Sequence, residues 1–521
     1  MIRRLVLIAC VFAARGTVPL AAQTLDTIVV DNHNIFEPTG EPLPLLARLG
    51  NALHVRTRPW VIRRTLLFNQ GDRYDSARMV ESERGLRSLQ VFREVQLDTT
   101  RVDGRLALRV ATADGWSTRP QVGFSSAAGD VSWDAGLVEK NLLGTAMQLL
   151  VDYNRNPDRH QVTLFWQAPG VLFRRARLAA SYSDLSDGAF GSWSYGVPFY
   201  ETSAPWSLGT AGGAGTLRVL RFRDGALSDS VQRRLLVVGV NGGVALAPGG
   251  GDRGYARLKF FAQLRRDNFR PYGALAAPDS VSVAAGVGLE LGRVRYEITE
   301  GLDQYARRED VDVSERLWIG VWAAPRAAGY APGRAGVGPE LQAQLGSAWP
   351  GGFAWLKLSA DGLLTASGVD SGRVEGGVTV MSRRFARQTV VLHAEGGAAR
   401  RPAPGTEFDT WFSQNGPRAF GAHAFTGTRR WWVVAEDRFL VTPAFAGLFG
   451  VGLAPFAEWG GAWYDDERPR AGGDVGLALR LGSTRSTRGE VTEISVANRF
   501  GAGFSGGRWV VTVREAVDFR Q

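Results

Sequence analysis

The chain has 521 residues, 65 of them glycine, a formal net charge of +10 and one cysteine, Cys10. This length predicts several structural units or one large β unit. Because no cysteine follows Cys10, the rest of the chain cannot hold a cysteine-based metal site, a thiol nucleophile or a disulfide framework. Arginine supplies nearly all the positive charge, and no basic run with interleaved aromatic residues indicates a nucleic-acid partner.

The N-terminal residues have the pattern of a secretory signal peptide. Arg3 and Arg4 form a basic start, "LVLIACVFAA" (5–14) is apolar, and "VPLAAQ" (18–23) supplies small residues for cleavage. We therefore predict a signal peptide at 1–22 and an exported protein. No later run approaches the ~18 consecutive apolar residues that a transmembrane helix needs.

Residues 23–113 predict a small α+β unit. "LDTIVVDNHNIF" (25–36) is typical of a strand, and "PWVIRRTLLF" (59–68) has helical spacing. A second helix is predicted after an N-cap at Asp75. Its apolar side is predicted to consist of Met79, Val80, Leu86 and Leu89. Residues 92–112 predict a hairpin whose tight turn is Asp103-Gly104, so the expected order is strand, two helices, two strands.

From 114 to 521 the sequence alternates with a period of two. Apolar and polar residues alternate along 131–137, 147–153, 256–264 and 475–481. Such strands suit either a soluble sandwich or a membrane barrel. Segment lengths near the ~9–11 residues of a tilted spanning strand, and a polar face rich in Arg, Asp and Gln, favour the barrel. About 25 residues per strand and turn predicts about 16 strands.

Several short motifs then resemble one family. "GDRYDSARMVESERGLRSLQVFREVQL" (71–97) resembles the second half of a POTRA domain. "GLVEKNLLGTAM" (136–147), "EDRF" (436–439) and "PFAEWGGAW" (455–463) resemble barrel segments of the BamA/TamA family, in the family's order. The POTRA match is carried by Gly71, Tyr74, Leu86, Leu89 and Phe92, and a loop match by Arg418, Phe420 and Gly421.

The resemblance implies a mainly β protein, a transmembrane antiparallel β-barrel preceded by one periplasmic POTRA domain, located in the outer membrane. It also implies insertion or translocation of polypeptides, with the POTRA domain receiving client chains. The expected partners are outer-membrane lipids, unfolded outer-membrane or exported polypeptides and accessory assembly proteins, without a cofactor or nucleic acid. A passive pore or surface protein on the same fold, and a secretion pore for one dedicated exoprotein, are the alternatives.

The stretch "SQNGPRAFGAHAF" (413–425) holds a lone arginine. If this loop folds into the barrel, Arg418 needs an acidic partner. Glu458 is predicted to be this partner because alternate residues of its strand face inward, and because of the resemblance. Glu436 and Arg438 are predicted to complete the lumen network, while Gly460 and Gly461 are predicted to leave room for the loop. The alternative is an Arg418 exposed on an extracellular loop. Ala419 and Glu458 depart from the Gly and Asp of the family motifs.

Enzymatic patterns are weak, and we predict neither catalytic residues nor a metal site. "GAGFSG" (501–506) matches a dinucleotide-binding spacing, but another strand-like run follows it rather than a helix. The five histidines share no metal-ligand spacing. A Ser–His hydrolase site assembled in space is the enzymatic alternative. The acidic stretch 464–474 predicts a solvated hairpin loop, with cation binding as its alternative.

Overall fold

The structure is a computed structural model of the whole chain. It describes residues 24–36, 45, 48, 51–52, 54–249, 254–271, 280–300, 302, 308–325, 336–410, 415–445, 449–483, 491–504, 506–516 and 519. The predicted signal peptide, residues 1–22, lies outside the described residues. Within them, no helix has both the length and the apolar character needed to cross a membrane.

The N-terminal part is a small α+β domain. Its elements are β1 (Thr27–His33), α1 (Pro59–Thr65), α2 (Ser76–Arg87), β2 (Phe92–Val102) and β3 (Arg105–Asp114). The sheet order is β1-β3-β2, with β1 parallel and β2 antiparallel to β3. The predicted strand, two helices and two strands are present in that order, but residues 45, 48, 51 and 52 are also helical, which the sequence analysis did not predict.

Local sequence signals explain two boundaries of this domain. The Asp75 carboxylate accepts hydrogen bonds from the backbone N–H groups of Ala77 and Arg78, so the predicted N-cap of α2 is confirmed. Asp103 and Gly104 have φ values of 50° and 78°, the left-handed pair that a two-residue hairpin turn requires.

One apolar cluster forms the core of the domain. Leu86 and Phe92 are buried in it, and Tyr74 and Leu89 pack against it. The structure thus brings together the four residues predicted for this core. Val80 was wrongly placed on the buried side of α2, because 54% of it is exposed.

The rest of the chain forms a closed antiparallel barrel of 20 strands, counted over the described residues. In chain order the strands are β4 (Thr118–Ala127), β5 (Asp130–Leu142), β6 (Met147–Arg155), β7 (His160–Pro169), β8 (Arg177–Leu185), β9 (Gly188–Val197), β10 (Trp206–Arg223), β11 (Ala226–Ala247), β12 (Tyr255–Pro271), β13 (Ser280–Arg293), β16 (Glu315–Ala324), β17 (Gly336–Trp349), β18 (Gly352–Thr365), β19 (Gly368–Ser382), β20 (Gln388–Arg400), β23 (Arg429–Phe445), β24 (Phe449–Trp463), β25 (Gly472–Ser483), β26 (Val491–Gly501) and β27 (Trp509–Glu515). Two short hairpins interrupt the series, β14 (Tyr296–Glu300) with β15 (Arg308–Asp312) and β21 (Phe408–Asp409) with β22 (Thr426–Gly427).

The predicted number of about 16 strands was wrong. The estimate assumed about 25 residues for each strand with its turn. Residues 118–197 instead hold the six strands β4–β9, because strands of 9 to 13 residues are joined by connections as short as 128–129 and 186–187. This region therefore uses fewer residues for each strand with its turn than the assumed average.

The predicted alternation is present as an outward apolar face. Val131, Trp133 and Leu137 of β5 are exposed on the outer surface, as are Val475 and Leu477 of β25. Pairing around the barrel satisfies the backbone groups of neighbouring strands, which a lipid environment requires, except at the junction of β27 and β4, where one register pair is formed. The outer surface is therefore suited to hydrocarbon and the inner surface to polar groups.

The N-terminal domain rests on one end of the barrel. The Arg58 N–H donates to the Gly144 carbonyl at 2.8 Å, and the Asn141 amide donates to the Thr57 hydroxyl at 2.9 Å. Gly144 has a φ of 73°, and a Cβ there would lie 2.4 Å from the Arg56 carbonyl oxygen. The "NLLG" turn (141–144) is thus a docking point for the N-terminal domain, and it requires glycine.

The same barrel end holds the β14–β15 hairpin. Trp355 of β18 donates its indole N–H to the Asp312 carbonyl at 2.8 Å, and Val311 packs with Phe353 and Met381. The loop between β20 and β23 enters from the opposite end. Both ends of the lumen are therefore occupied by parts of the chain.

Candidate functional site: a buried arginine cluster

Arg418 lies on the loop 401–428 between β20 and β23, and its side chain is completely buried in the barrel. The nearest wall is β24, where Phe456 and Glu458 face inward while Trp459 is 48% exposed on the outside. This parity follows from the period of two along a strand. It places an acidic group opposite the loop arginine.

Glu458 binds Arg418 through both carboxylate oxygens. The Arg418 Nε donates to Glu458 Oε1 at 2.8 Å, and the Arg418 backbone N–H donates to Oε2 at 2.8 Å. The guanidinium also lies over the Phe456 ring, with its central carbon 3.6 Å from the ring centroid. The loop is consequently held at its backbone as well as at its side chain.

The contact belongs to a larger ion cluster that contains all the charged residues predicted for the site. Arg418 Nη2 lies 2.9 Å from Glu436 Oε2, and Arg438 Nε lies 2.6 Å from Glu436 Oε1. Arg418 also reaches Glu493 of β26 at 3.4 Å. Arg480 bonds Glu436 and Glu493, and Arg514 bonds Glu493 at 3.0 Å. Four arginines and three glutamates thus share one buried space.

Sequence reasoning missed Arg480, Glu493 and Arg514 as members of this cluster. All three stand at inward positions of the alternating strands β25, β26 and β27, so the period of two along each strand was the signal that could have found them. Asp474 of β25 was also missed. Its Oδ2 accepts the backbone N–H of Ala419 at 3.0 Å, so the residue after Arg418 is held as well.

Phe420 and Ala419 anchor the loop by packing. Phe420 is 1% exposed and contacts Phe425 and Phe504. Ala419 is completely buried against Ala454 and Phe456, so its methyl group fills space that a glycine would leave empty.

The glycines predicted to leave room for the loop do not do so. A Cβ at Gly460 would meet the backbone of β23, and one at Gly461 would meet the Arg470 carbonyl. Gly472 is one residue that makes room for the loop, because a Cβ there would lie 2.6 Å from the Phe420 ring. The alternation along the strand predicted which residues face inward, but it did not predict how deep in the barrel the loop lies.

Gly421 lies at the second attachment of the loop. A Cβ on Gly421 would lie 2.5 Å from Asp130 Oδ2, and that oxygen accepts the Ala422 N–H at 2.7 Å. Ala422 also packs against Ala127. The loop therefore contacts β24–β26 on one side and the β4–β5 turn on the other.

Between those two sides lies the weakest junction of the barrel. β27 and β4 share one register pair, Val513 with Ser126. On its other side β4 pairs with β5 along its whole length, from Thr118–Glu139 to Ala127–Asp130. We call the β27–β4 junction the seam. The loop 401–428 spans it from the inside.

A histidine forms a further attachment of the loop. His423 Nδ1 lies 2.6 Å from Asp409 of the same loop, and Nε2 lies 2.9 Å from Asp158 in the β6–β7 turn. Its ring stacks on Phe222 of β10 at 3.4 Å. Burial disfavours the imidazolium, but the two carboxylates outweigh it and raise the pKa of His423 to about 9.

We expect this attachment to weaken in alkali. Because the folded pKa lies above the ordinary histidine value of 6.5, the stabilisation is fully present below pH 6.5 and is lost as the pH rises through about 9. Protease cleavage within 401–428 should therefore be slow at pH 6–8 and faster at pH 10. A His423→Gln variant should be cleaved faster already at pH 7, and an unchanged cleavage rate across this range would contradict the attachment.

A sequence relative and several solved structures are similar to the chain. It is 25% identical over 160 residues to outer membrane protein assembly factor BamA of Neorickettsia risticii, which covers 30% of the chain and 22% of that protein. The chain thus spans about a fifth of the relative it matches. No protein-family profile matches it.

Among solved structures, CdiB from Escherichia coli is 11% identical, with a TM-score of 0.48 over 96% of the chain and 92% of CdiB. BamA from Haemophilus ducreyi lacking POTRA domains 1–3 is 12% identical, with a TM-score of 0.40 over 93% of the chain and 84% of BamA.

This chain forms a closed barrel with an apolar outer face, and a buried ion cluster holds a loop inside it. It is therefore an outer-membrane β-barrel protein. The sequence match to BamA confirms the resemblance that its motifs indicate.

Proposed function

We propose that this protein inserts or translocates polypeptides at the outer membrane, and that a client strand pairs at the seam. The seam is the observation that supports the proposal. In lipid, an unpaired strand edge costs free energy at each unsatisfied backbone group, so a client strand that hydrogen-bonds there is stabilised. Pro120 and Gly123 lie on β4, and both residue types weaken strand pairing.

The N-terminal domain, at 23–113, is proposed to be a periplasmic POTRA domain that receives the client. Its order β1-β3-β2 leaves β1 and β2 as the outer strands of the sheet among the described residues. An extended peptide can add to such a strand through backbone hydrogen bonds. No enzymatic step is part of the proposal.

Depletion of the protein separates the three functions that the resemblance allows. Quantitative proteomics of outer membranes should show a general loss of β-barrel proteins if the chain is an insertase. Loss of a single exported protein from the medium would indicate a dedicated secretion pore instead. Unchanged outer membranes and medium would contradict polypeptide handling and leave the passive pore.

The edge strands give a direct prediction. Photo-crosslinking residues placed at the exposed positions Val29 of β1 and Arg93 of β2 should capture unfolded clients in vivo. The same probe at Val102, which is exposed at the hairpin end of β2, is the control and should capture fewer. Equal capture at all three sites would argue against addition at a strand edge.

A further inference from the structure

A concave site lies on the outer face of the barrel across β8–β12. Its floor consists of small side chains on β9 and β10, among them Gly191 and Ala214, which form one register pair. Tyr182 of β8 stands on one side of this floor, and Arg234 of β11 and Arg266 of β12 stand on the other. The volume of the site is about 580 Å³. We call this site, defined by these five residues, the groove.

The two arginines of the groove face outward. Arg234 is exposed and continues the outward series of Leu236 and Val238 along β11. Arg266 is exposed, follows the outward Leu264 on β12 and is the register partner of Leu236. Successive residues of a strand point to opposite faces, so residues two apart share a face. Both arginine side chains therefore start on the surface that meets lipid and not in the lumen.

The arginines stand where the apolar outer band ends. The outward residues of 236–244 on β11 and of 256–264 on β12 are all apolar or glycine. Both stretches have about the ~9–11 residues that a tilted strand needs to cross the hydrocarbon. Arg234 and Arg266 are the next outward residues beyond these stretches. They therefore lie at the level of the lipid headgroups.

The groove lies towards the barrel end that the loop 401–428 enters. Phe222, beside the β10–β11 turn, stacks on His423 of that loop. At the other end, the Thr202 hydroxyl between β9 and β10 donates to Glu81 of the N-terminal domain at 2.9 Å. With the N-terminal domain in the periplasm, as proposed, the groove faces the outer leaflet of the membrane. The inference below rests on the proposed function only in this placement.

The charge of the outward arginines is not balanced by the part of the chain that the structure describes. The inward neighbours Arg233 and Arg265 each lie 2.7 Å from Asp267, which neutralises them inside the barrel. Arg234 and Arg266 form no ion pair with a described residue. Adjacent positions on the same two strands thus differ in one respect, because the lipid-facing arginines lack a carboxylate partner. An anion from outside the chain can supply it.

We propose that the groove binds a phosphate-bearing lipid of the outer leaflet, with a phosphate between Arg234 and Arg266. The two arginines are diagonal neighbours, because Arg234 pairs with Asn268 and Arg266 with Leu236. Such positions lie about 7–8 Å apart, so two long side chains can reach one phosphate. Guanidinium groups bind phosphate through two parallel hydrogen bonds. Asp184, the outward carboxylate in the register row of Arg234, lies three strands away and leaves the phosphate position clear.

The floor of the groove accounts for the rest of the lipid. Gly191 and Ala214 continue the apolar surface of the barrel up to the arginines, and their small side chains leave space beside Tyr182. An acyl chain that lies in this space buries apolar surface on the protein as well as its own. A soluble phosphate compound gains only the arginine contacts. The groove therefore favours a lipid over a free phosphate.

Binding of lipid A to the purified full-length protein in detergent tests the proposal. Bisphosphorylated lipid A should form a saturable complex in native mass spectrometry, and dephosphorylated lipid A should bind much more weakly. Arg266→Gln should lower the affinity about tenfold, because a charge-assisted contact to phosphate is lost. Arg265→Gln is the matched control at the next position of β12. It leaves Asp267 with Arg233 inside the barrel and should not change the affinity.

A second variant tests the shape of the groove with its charge intact. A Cβ at Gly191 would meet no atom closer than 3.7 Å, so Gly191→Leu fits the strand and fills the groove. We expect it to weaken lipid A binding about fivefold, since the acyl chain loses its contact surface. Ala262→Leu, an outward position of β12 within the apolar band, is the control and should bind lipid A normally.

Heat-modifiable mobility shows whether each variant is folded before its binding is compared. Equal affinity of lipid A for the unchanged protein and for folded Arg234→Gln/Arg266→Gln would overturn the proposal. An equal loss of affinity in Arg265→Gln would also overturn it, by showing an effect of net charge alone. Displacement of lipid A by an equal concentration of inorganic pyrophosphate would indicate a site for soluble phosphate and refute the lipid. Because these measurements need no client polypeptide, their outcome is independent of whether depletion of the protein affects other outer-membrane proteins.

Discussion

Arg418→Ala is expected to remove most correctly folded protein from the outer membrane. The substitution leaves Glu458 with Arg514, 3.6 Å away, as its nearest remaining arginine of the cluster, and leaves Glu436 with Arg438 and Arg480. Breaking a buried ion pair on one side costs about 3–5 kcal/mol when both groups are desolvated. Heat-modifiable mobility on gels measures the folded fraction, and we expect it to fall by about tenfold or more, since each 1.4 kcal/mol is a factor of ten in population.

The partner substitution and the double mutant test whether the two residues act together. Glu458→Ala should reduce the folded fraction similarly, and Arg418→Ala with Glu458→Ala should be little worse than either single substitution, because the shared contact is lost only once. The control is the exposed pair of Arg400 and Asp465, whose side chains are 66% and 40% exposed. Alanine there should change stability by less than about 1 kcal/mol. Additive losses at Arg418 and Glu458 would show that they do not form a functional pair.

The physical reason for a large effect is the position of the loop across the seam. Arg418 is tied to β24 and β26, and through Glu493 it shares a partner with Arg514 of β27. Ala422 is tied to Asp130 at the start of β5. A loop attached on both sides of the seam can hold β27 and β4 together where backbone hydrogen bonds between them are missing. Release of the loop should therefore loosen the seam itself.

Strand parity made the inner face of the barrel predictable from sequence. In "FAEWGGAW" the outward Trp459 fixed Glu458 as inward, and the structure indeed places Glu458 within 2.8 Å of Arg418. The N-cap Asp75 and the turn Asp103-Gly104 were predictable because their signals lie within a few residues of the feature they determine. Whether Arg418 and Glu458 act together to hold the loop stays a proposal for the double-mutant test.

What could not be predicted depends on contacts distant in the sequence. The number of strands depends on connection lengths that vary between neighbouring hairpins, and an average length gave 16 where the described barrel has 20. Phe519 fits the outward pattern of β27, yet Thr379, some 140 residues earlier, binds it inside the lumen. The role of Gly472 depends on the depth of the loop, which strand periodicity does not encode.

The second large effect is expected where the N-terminal domain meets the barrel. Arg174 and Arg175 of the β7–β8 connection reach the C-terminal end of α1. The Arg174 guanidinium donates to the Arg63 carbonyl at 3.0 Å, and the Arg175 guanidinium donates to the Leu66 carbonyl at 2.6 Å. The last carbonyls of a helix have no partner within the helix, and cations are stabilised beside them.

Arg174→Ala with Arg175→Ala is therefore expected to release the N-terminal domain from the barrel without unfolding either part. Hydrogen bonds to charged groups contribute about 1.5–3 kcal/mol each, so the double substitution should shift the docking equilibrium by about a hundredfold or more. Protease cleavage in the connection 115–117 should become faster, while heat-modifiable mobility stays unchanged because the barrel is intact. Arg177→Ala, at an exposed position that begins β8, is the matched control and should not alter cleavage. If cleavage at 115–117 stays slow in the double variant, the remaining attachments hold the domain, among them the "NLLG" turn and the hydrogen bonds from Thr202 to Glu81.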